Sequence, residues 1–192
     1  MSLIPAFEFG IWNAWIFILP FFLLPYIGER LIKKRNMLSI SEYISEFSKK
    51  GKILLGALVI LILGSHIYSI FLPLKLGTVW FYIGSLIFIV GFSIQIISWQ
   101  NLATAPVNLP VTKGVYRFSR NPMYIGDFLV LISVAIASLS WIFLLVAFIS
   151  LIVNYVAVIS EERECLAKYG EKYQKYMDSM PRWIGKPKSR KP

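Results

Sequence analysis

Val-Thr-Lys-Gly-Val-Tyr-Arg-Phe-Ser-Arg-Asn-Pro-Met-Tyr-Ile-Gly, residues Val111 to Gly126, is the longest polar interruption in an otherwise apolar chain and runs straight into another apolar segment. Asn121-Pro122 predicts a helix start. Asn is a favoured N-cap, and Pro at the first helical position loses an N–H that would have no helical partner anyway. The first turn of that helix would aim unpaired N–H groups and a partial positive charge at Arg117, Arg120 and the preceding loop. At a membrane surface such a place suits a carboxylate or phosphate. A basic juxtamembrane loop with a well-formed helix cap would use the same residues.

Composition sets the setting of this stretch. A chain of 192 residues that is 57% hydrophobic is not a soluble globule. Several of its apolar runs approach or exceed the ~18–20 residues that cross a hydrocarbon core of ~30 Å. The net charge of +10 lies in short blocks at the ends of these runs, as topology determinants do, which argues against nucleic acid as the partner. Cys165 is the single cysteine, so no internal disulfide and no cysteine-based metal site is expected. Met1 to Gly10 lacks Lys and Arg, so a cleavable signal peptide is not expected.

Five apolar runs are expected to span. The first covers Ile11 to about Gly28 and carries Pro20 and Pro25, which predict a kink. The second covers Ile53 to about Leu74, the third about Thr78 to Ser98, the fourth Pro122 to about Ala137, and the fifth Trp141 to Ser160. Between the first two, Ser39 to Ser48 reads as an interfacial amphipathic helix, with Ser39 and Glu42 at capping-box spacing. Ser138-Leu139-Ser140 reads as a turn, and the tail as helical until Met180-Pro181. With five crossings, every basic block falls on one side and only Lys75 on the other. The positive-inside rule then puts the N-terminus outside and the C-terminus in the cytoplasm. The expectation is an all-α integral membrane protein of about five transmembrane helices with a cytoplasmic helical tail. It is one domain, divided into a three-span region, residues 1–110, and a hairpin-plus-tail region, residues 111–192.

Acidic residues are few, so their positions carry information. Asp127 lies about one and a half turns into the fourth span. Glu161, Glu162 and Glu164 cluster where the fifth span ends, which is unfavourable at a helix C-terminus. The cluster becomes reasonable if the helix continues into the tail, or if a cation sits against it. That cation is either Arg117 or Arg120, as a structural ion pair, or the positive centre of a ligand held between the acids and the Asn121-Pro122 helix start. His66, the one histidine, lies mid-span, where an imidazole bonded to a neighbouring helix is expected. No second ligand of its kind exists for a metal. Gly84 and Gly91 read as helix-packing positions.

Gly114-Val115-Tyr116-Arg117-Phe118-Ser119-Arg120-Asn121-Pro122-Met123-Tyr124-Ile125-Gly126 resembles the signature of the isoprenylcysteine carboxyl methyltransferase and phospholipid methyltransferase superfamily. Its second half is also present: Glu161-Glu162, Leu166, Tyr169-Gly170-Glu171-Lys172-Tyr173, Tyr176 and Pro181-Arg182-Trp183. The resemblance covers Val111 to Trp183, a little over a third of the chain. It implies an integral membrane enzyme that uses S-adenosylmethionine in a pocket formed by the helix-start motif and the paired acids, roofed by the tail. Carried onto this chain, the cofactor-side candidates are Gly114, Tyr116, Arg120, Asn121, Pro122, Tyr124, Glu161 and Glu162. One departure stands out: the eukaryotic carboxyl methyltransferases have His where this chain has Asn121, and Asn cannot titrate.

The residues and the resemblance agree on the ligand. S-adenosylmethionine carries an ammonium and a sulfonium, which suit Glu161 and Glu162, and a carboxylate, which suits Arg120 or the helix N-terminus. The expected catalytic set is Arg120, Glu162 and Asp127, with no metal. A carboxylate acceptor needs no general base, whereas an amine or thiol must lose a proton to Glu162, Asp127 or a tyrosinate. The expected acceptor is lipid-like or small and apolar, reached from the bilayer of a prokaryotic cytoplasmic membrane, with the site facing the cytoplasm. Two other functions fit the pattern: a nicotinamide-dependent membrane reductase, against which the paired acids speak, and a non-catalytic module that binds anionic lipid or a partner through its basic face.

Overall fold

The computed structural model of the protein describes residues 7–20, 23–24 and 48–185. Within them the chain is helical, with a single isolated bridge between Asn13 and Pro73 in place of any strand. Residues 15–20 and 23–24 are helical. α1 is Lys49–Tyr68, followed by a 3-10 turn at Ser69–Phe71. α2 is Val79–Ala103, and a second 3-10 turn at Gly114–Arg117 precedes α3, Pro122–Ser138. α4 is Trp141–Tyr169 and α5 is Glu171–Ser179. The expected Ser39 to Ser48 helix lies outside the described residues except for Ser48, as do the basic cluster at residues 30–35 and the consequences of Pro25.

Among the described residues three helices, α1 with its 3-10 extension, α2 and α4, are long and apolar enough to cross a bilayer, and α3 is a shorter apolar helix. Each of the three long helices begins on a local start signal. Ser48, Thr78 and Ser140 accept hydrogen bonds from Gly51, Phe81 and Phe143 N–H respectively, satisfying donors that an apolar surrounding would otherwise leave unpaired. Leu139 takes a left-handed conformation (φ 54°) and closes the predicted turn between α3 and α4. Large apolar side chains such as Ile53, Ile60, Val79, Leu86, Leu145 and Ile152 face outward, as lipid-facing residues do. The protein is an integral membrane protein.

α2 and α3 meet backbone to backbone. A Cβ on Gly84 would lie 2.6 Å from Ala137 Cβ and 2.8 Å from Ala137 N. A Cβ on Gly126 would lie 2.6 Å from Gln95 Cγ and 2.8 Å from Gly91 O. This close approach is the small-residue packing expected of Gly84 and Gly91. The core beside it joins Val134, Ala137, Phe143 and Ala147 to Phe17 and Ile18 of the first helical stretch. Phe17 stacks on Phe88 of α2 with ring centroids 4.5 Å apart.

The two ends of the bundle differ. At one end, Asn13 is buried and its Nδ2 donates to Glu8 O (2.8 Å) and Ile70 O (2.7 Å), tying the first residues to the turn after α1. Lys75 N–H donates to Ala137 O (2.9 Å) there. Lys75 is the one basic residue at this end among the described residues, and the other eleven lie at or beyond the opposite end. His66, near this end of α1, places Nδ1 2.5 Å from Ile62 O. This bond is to its own helix.

α4 continues past Ser160 to Tyr169, the continuation into the tail that the cluster of Glu161, Glu162 and Glu164 made reasonable, because nothing in Glu161 to Lys168 breaks a helix. Gly170 breaks it instead, at φ 56°, a conformation glycine adopts at little cost. Placing a methyl group at the α2–α3 contact tests this packing. Gly84→Ala is expected to cost about 1–3 kcal/mol, read as a lower thermal midpoint in detergent. Gly64→Ala, which has open space around its Cβ position, is expected to leave the midpoint unchanged.

Candidate functional site

The polar end of the bundle is built by three separate pieces of chain: the stretch Gly114 to Asn121, the part of α4 that carries Glu161 and Glu162, and the strap from α5 to Arg182. Gly114 sits at φ 60° against the Asn101 amide, which fills the place a Cβ would take. Glycine is thus required there by both conformation and space. The turn it starts brings Tyr116 inward and leaves Arg117 exposed. Of the two arginines expected near the acids, only Arg120 reaches them.

Glu162 is the centre of the cluster, with 4% of its surface exposed. Its Oε1 lies 3.3 Å from Arg120 Nη2 and accepts from Asn121 Nδ2 at 3.3 Å. Its Oε2 accepts from Arg182 Nη2 at 2.8 Å and from Arg182 Nε at 3.1 Å. The hydrogen bond with Glu162 holds the Arg182 guanidinium above its ordinary pKa. Asn121 does precede α3, with Pro122 in the first turn, but its side chain makes no capping bond. Its Nδ2 donates to Glu162 and to Arg182 O (3.1 Å), which turns the amide toward the buried carboxylate, an acceptor that forms strong charge-assisted bonds.

The strap is sewn to the loop through its backbone. Arg120 N–H donates to Pro181 O at 3.1 Å, Ser119 Oγ donates to Arg182 O at 3.2 Å, and Tyr176 Oη donates to Tyr116 O at 2.7 Å. Tyr169, Tyr173 and Tyr176 lie together in one buried cluster despite the break at Gly170. Burial, the largest cause, raises the Tyr173 and Tyr176 hydroxyls well above the ordinary phenol pKa. The direction of the shift favours the neutral phenol at both.

A cavity of about 80 Å³ lies beneath the strap, bounded among others by Tyr116, Arg120, Asn121, Pro122, Tyr124 and Glu161. Tyr173 and Tyr176 of the tail also border it, as does Cys165, for which sequence suggested no role, whereas Glu162, Gly114, Asp127 and Trp183 do not. The Arg120 side chain is 8% exposed, and its Nε and Nη1 are buried without a hydrogen-bond partner. Glu161 accepts a hydrogen bond from Tyr124 Oη. Asp127 stands apart, part-buried, with its Oδ1 accepting from Gln95 Nε2 of α2. Gln95 was missed from sequence, since a glutamine inside an apolar run gives no sign of its partner.

These residues fit S-adenosylmethionine in part. Unpaired guanidinium N–H groups suit its carboxylate, and the Glu161 carboxylate suits its cationic centres. Among the described residues no group of three or more His, Cys, Asp or Glu side chains could hold a metal ion.

A bundle of apolar helices that gathers its buried charges at one end is a membrane protein with a polar site at the edge of the bilayer. Residues 79–172, from the first residue of α2 into α5, match the phospholipid methyltransferase family, and the chain belongs to the isoprenylcysteine carboxyl methyltransferase and phospholipid methyltransferase superfamily. That membership implies a membrane methyltransferase. No curated protein and no solved structure matches the chain.

Removing Glu162 leaves Arg120 buried and unpaired. Glu162→Ala is expected to destabilise the protein by about 3–5 kcal/mol. Arg182→Ala should cost clearly less, because Glu162 keeps Arg120 and Asn121, and the Arg182 side chain is already 33% exposed. Thermal unfolding of both variants in detergent checks the order.

Proposed function

We propose that the protein is a five-span S-adenosylmethionine-dependent methyltransferase. It acts at the cytoplasmic face of a prokaryotic cytoplasmic membrane on a lipid-like or small apolar acceptor. Methyltransferases of this family generally use S-adenosylmethionine. The observation that carries the reading is the cavity shared by Glu161 and the unpartnered Nε and Nη1 of Arg120, which offers both poles of charge to one zwitterionic ligand. The clustering of basic residues at the same end supports the cytoplasmic assignment.

When bound, S-adenosylmethionine supplies an electrophilic methyl group. The chain's own residues bind and align. Arg120 holds a carboxylate, Glu161 a cation, and Pro122, Tyr116 and Tyr124 wall the space between. The strap keeps water out, which matters for a displacement that disperses positive charge. Gly114 shapes the loop and Asn121 fastens it to Glu162. Asp127 is the acceptor-side group. It does not border the cofactor cavity, it is partly accessible, and it lies close enough to feel the charge of Glu161. A carboxyl placed within an apolar helix by this arrangement points to a functional role.

Calorimetry with S-adenosylhomocysteine on detergent-solubilised protein is expected to show saturable binding, and its absence would sink the reading. Asp127→Asn is expected to leave that affinity within about twofold. With an amine or thiol acceptor, turnover should fall about a hundredfold. Unchanged turnover would show that Asp127 is not the base.

A further inference from the structure

The two adjacent acids of α4 are not equivalent. Consecutive residues on a helix point about 100° apart, and the surroundings of Glu161 and Glu162 differ accordingly. Glu162 has no vacancy. One oxygen is taken by Arg120 and Asn121, the other by two nitrogens of Arg182, and the side chain is 5% exposed and outside the cavity. A ligand cation could reach it only by displacing a guanidinium and leaving that charge unpaired in a buried site, which is strongly unfavourable. Glu161 borders the cavity and holds a single neutral donor there, Tyr124 Oη. Arg120 borders it too. Because its Nη2 is engaged by Glu162, its Nε and Nη1 are the groups left for a ligand.

We propose that the paired acids divide the work. Glu161 binds the ammonium of the cofactor's amino-acid end, and Glu162 is a positioning residue that never touches the ligand. It acts by orienting Arg120 toward the cofactor carboxylate and by holding the strap through Arg182. This division rests on the S-adenosylmethionine reading above. It makes the two acids separable by ligand chemistry. Loss of Glu161 should be felt by any ligand that carries the ammonium. Loss of Glu162 should be felt only by ligands that carry the carboxylate, because its effect passes through Arg120.

Three ligands resolve the two roles. S-adenosylhomocysteine has both groups, its decarboxylated analogue keeps only the amine, and 5′-methylthioadenosine has neither and reports whether the nucleoside end of the site is intact. Calorimetry on the full chain is expected to show that Glu161→Gln weakens the first two ligands alike, by about tenfold or more (about 1.4 kcal/mol). Glu162→Gln is expected to weaken S-adenosylhomocysteine by a similar factor. It should leave the decarboxylated analogue within about twofold. Equal weakening of both ligands by Glu162→Gln would overturn the division.

Should Glu162→Gln not fold, Arg182→Ala answers the same question by vacating Oε2 of Glu162. Unchanged affinity for the decarboxylated analogue supports the division, and tighter binding overturns it by showing that Glu162 accepts the ammonium. If the unmodified protein binds none of the three ligands, the cofactor reading itself fails. If it binds all three but the two acids behave alike, only the division fails.

Discussion

A carboxylate taken out of water must be neutralised, and at Glu162 that requirement draws together three parts of the chain. Arg120 and Asn121 come from the loop before α3, Glu162 from beyond the apolar part of α4, and Arg182 from the strap after α5. Two guanidiniums and an amide complete its coordination. The rest of the polar end follows from that neutralisation. The strap lies where Arg182 can reach, the loop backbone bonds to the strap's carbonyls, and the aromatic face of α5 closes over the space between. Removing the central charge would leave three elements with no common partner.

The helices serve this arrangement by being thin where they meet. Gly84, Gly91 and Gly126 let α2 and α3 approach until a Cβ would overlap, and this contact sets Gln95 against Asp127. The hairpin of α3 and α4, closed at the far end by Leu139, returns the chain so that Asn121 and Glu162 stand side by side. The lipid-facing surface and the polar site are therefore one construction. The apolar helices fix the height and spacing of the groups that cannot themselves enter hydrocarbon.

What sequence made legible is what is decided locally. Pro122 marks a helix start because proline acts within one turn, Ser138-Leu139-Ser140 marks a turn, and the charge blocks sort to one end because they flank apolar runs. The meeting of Arg120 with the acids after the last span was also readable, since a cluster of carboxylates at a helix end demands a cation. The misses share a cause. Asn121 looked like a cap because its neighbours are local, whereas its actual partners lie in α4 and the strap. Gln95 and the inequality of Glu161 and Glu162 depend on which face of a helix meets which neighbour, and that is settled by packing alone.

The most direct test is an experimental structure of the protein with S-adenosylhomocysteine bound. The account predicts the ligand's amino-acid end beneath the strap, its carboxylate on Arg120 Nε or Nη1 and its ammonium on Glu161, with Glu162 still bonded to Arg120. A ligand seated elsewhere, such as in the apolar cavity of about 950 Å³ beside His66 and Trp15 at the opposite end of the bundle, would contradict it.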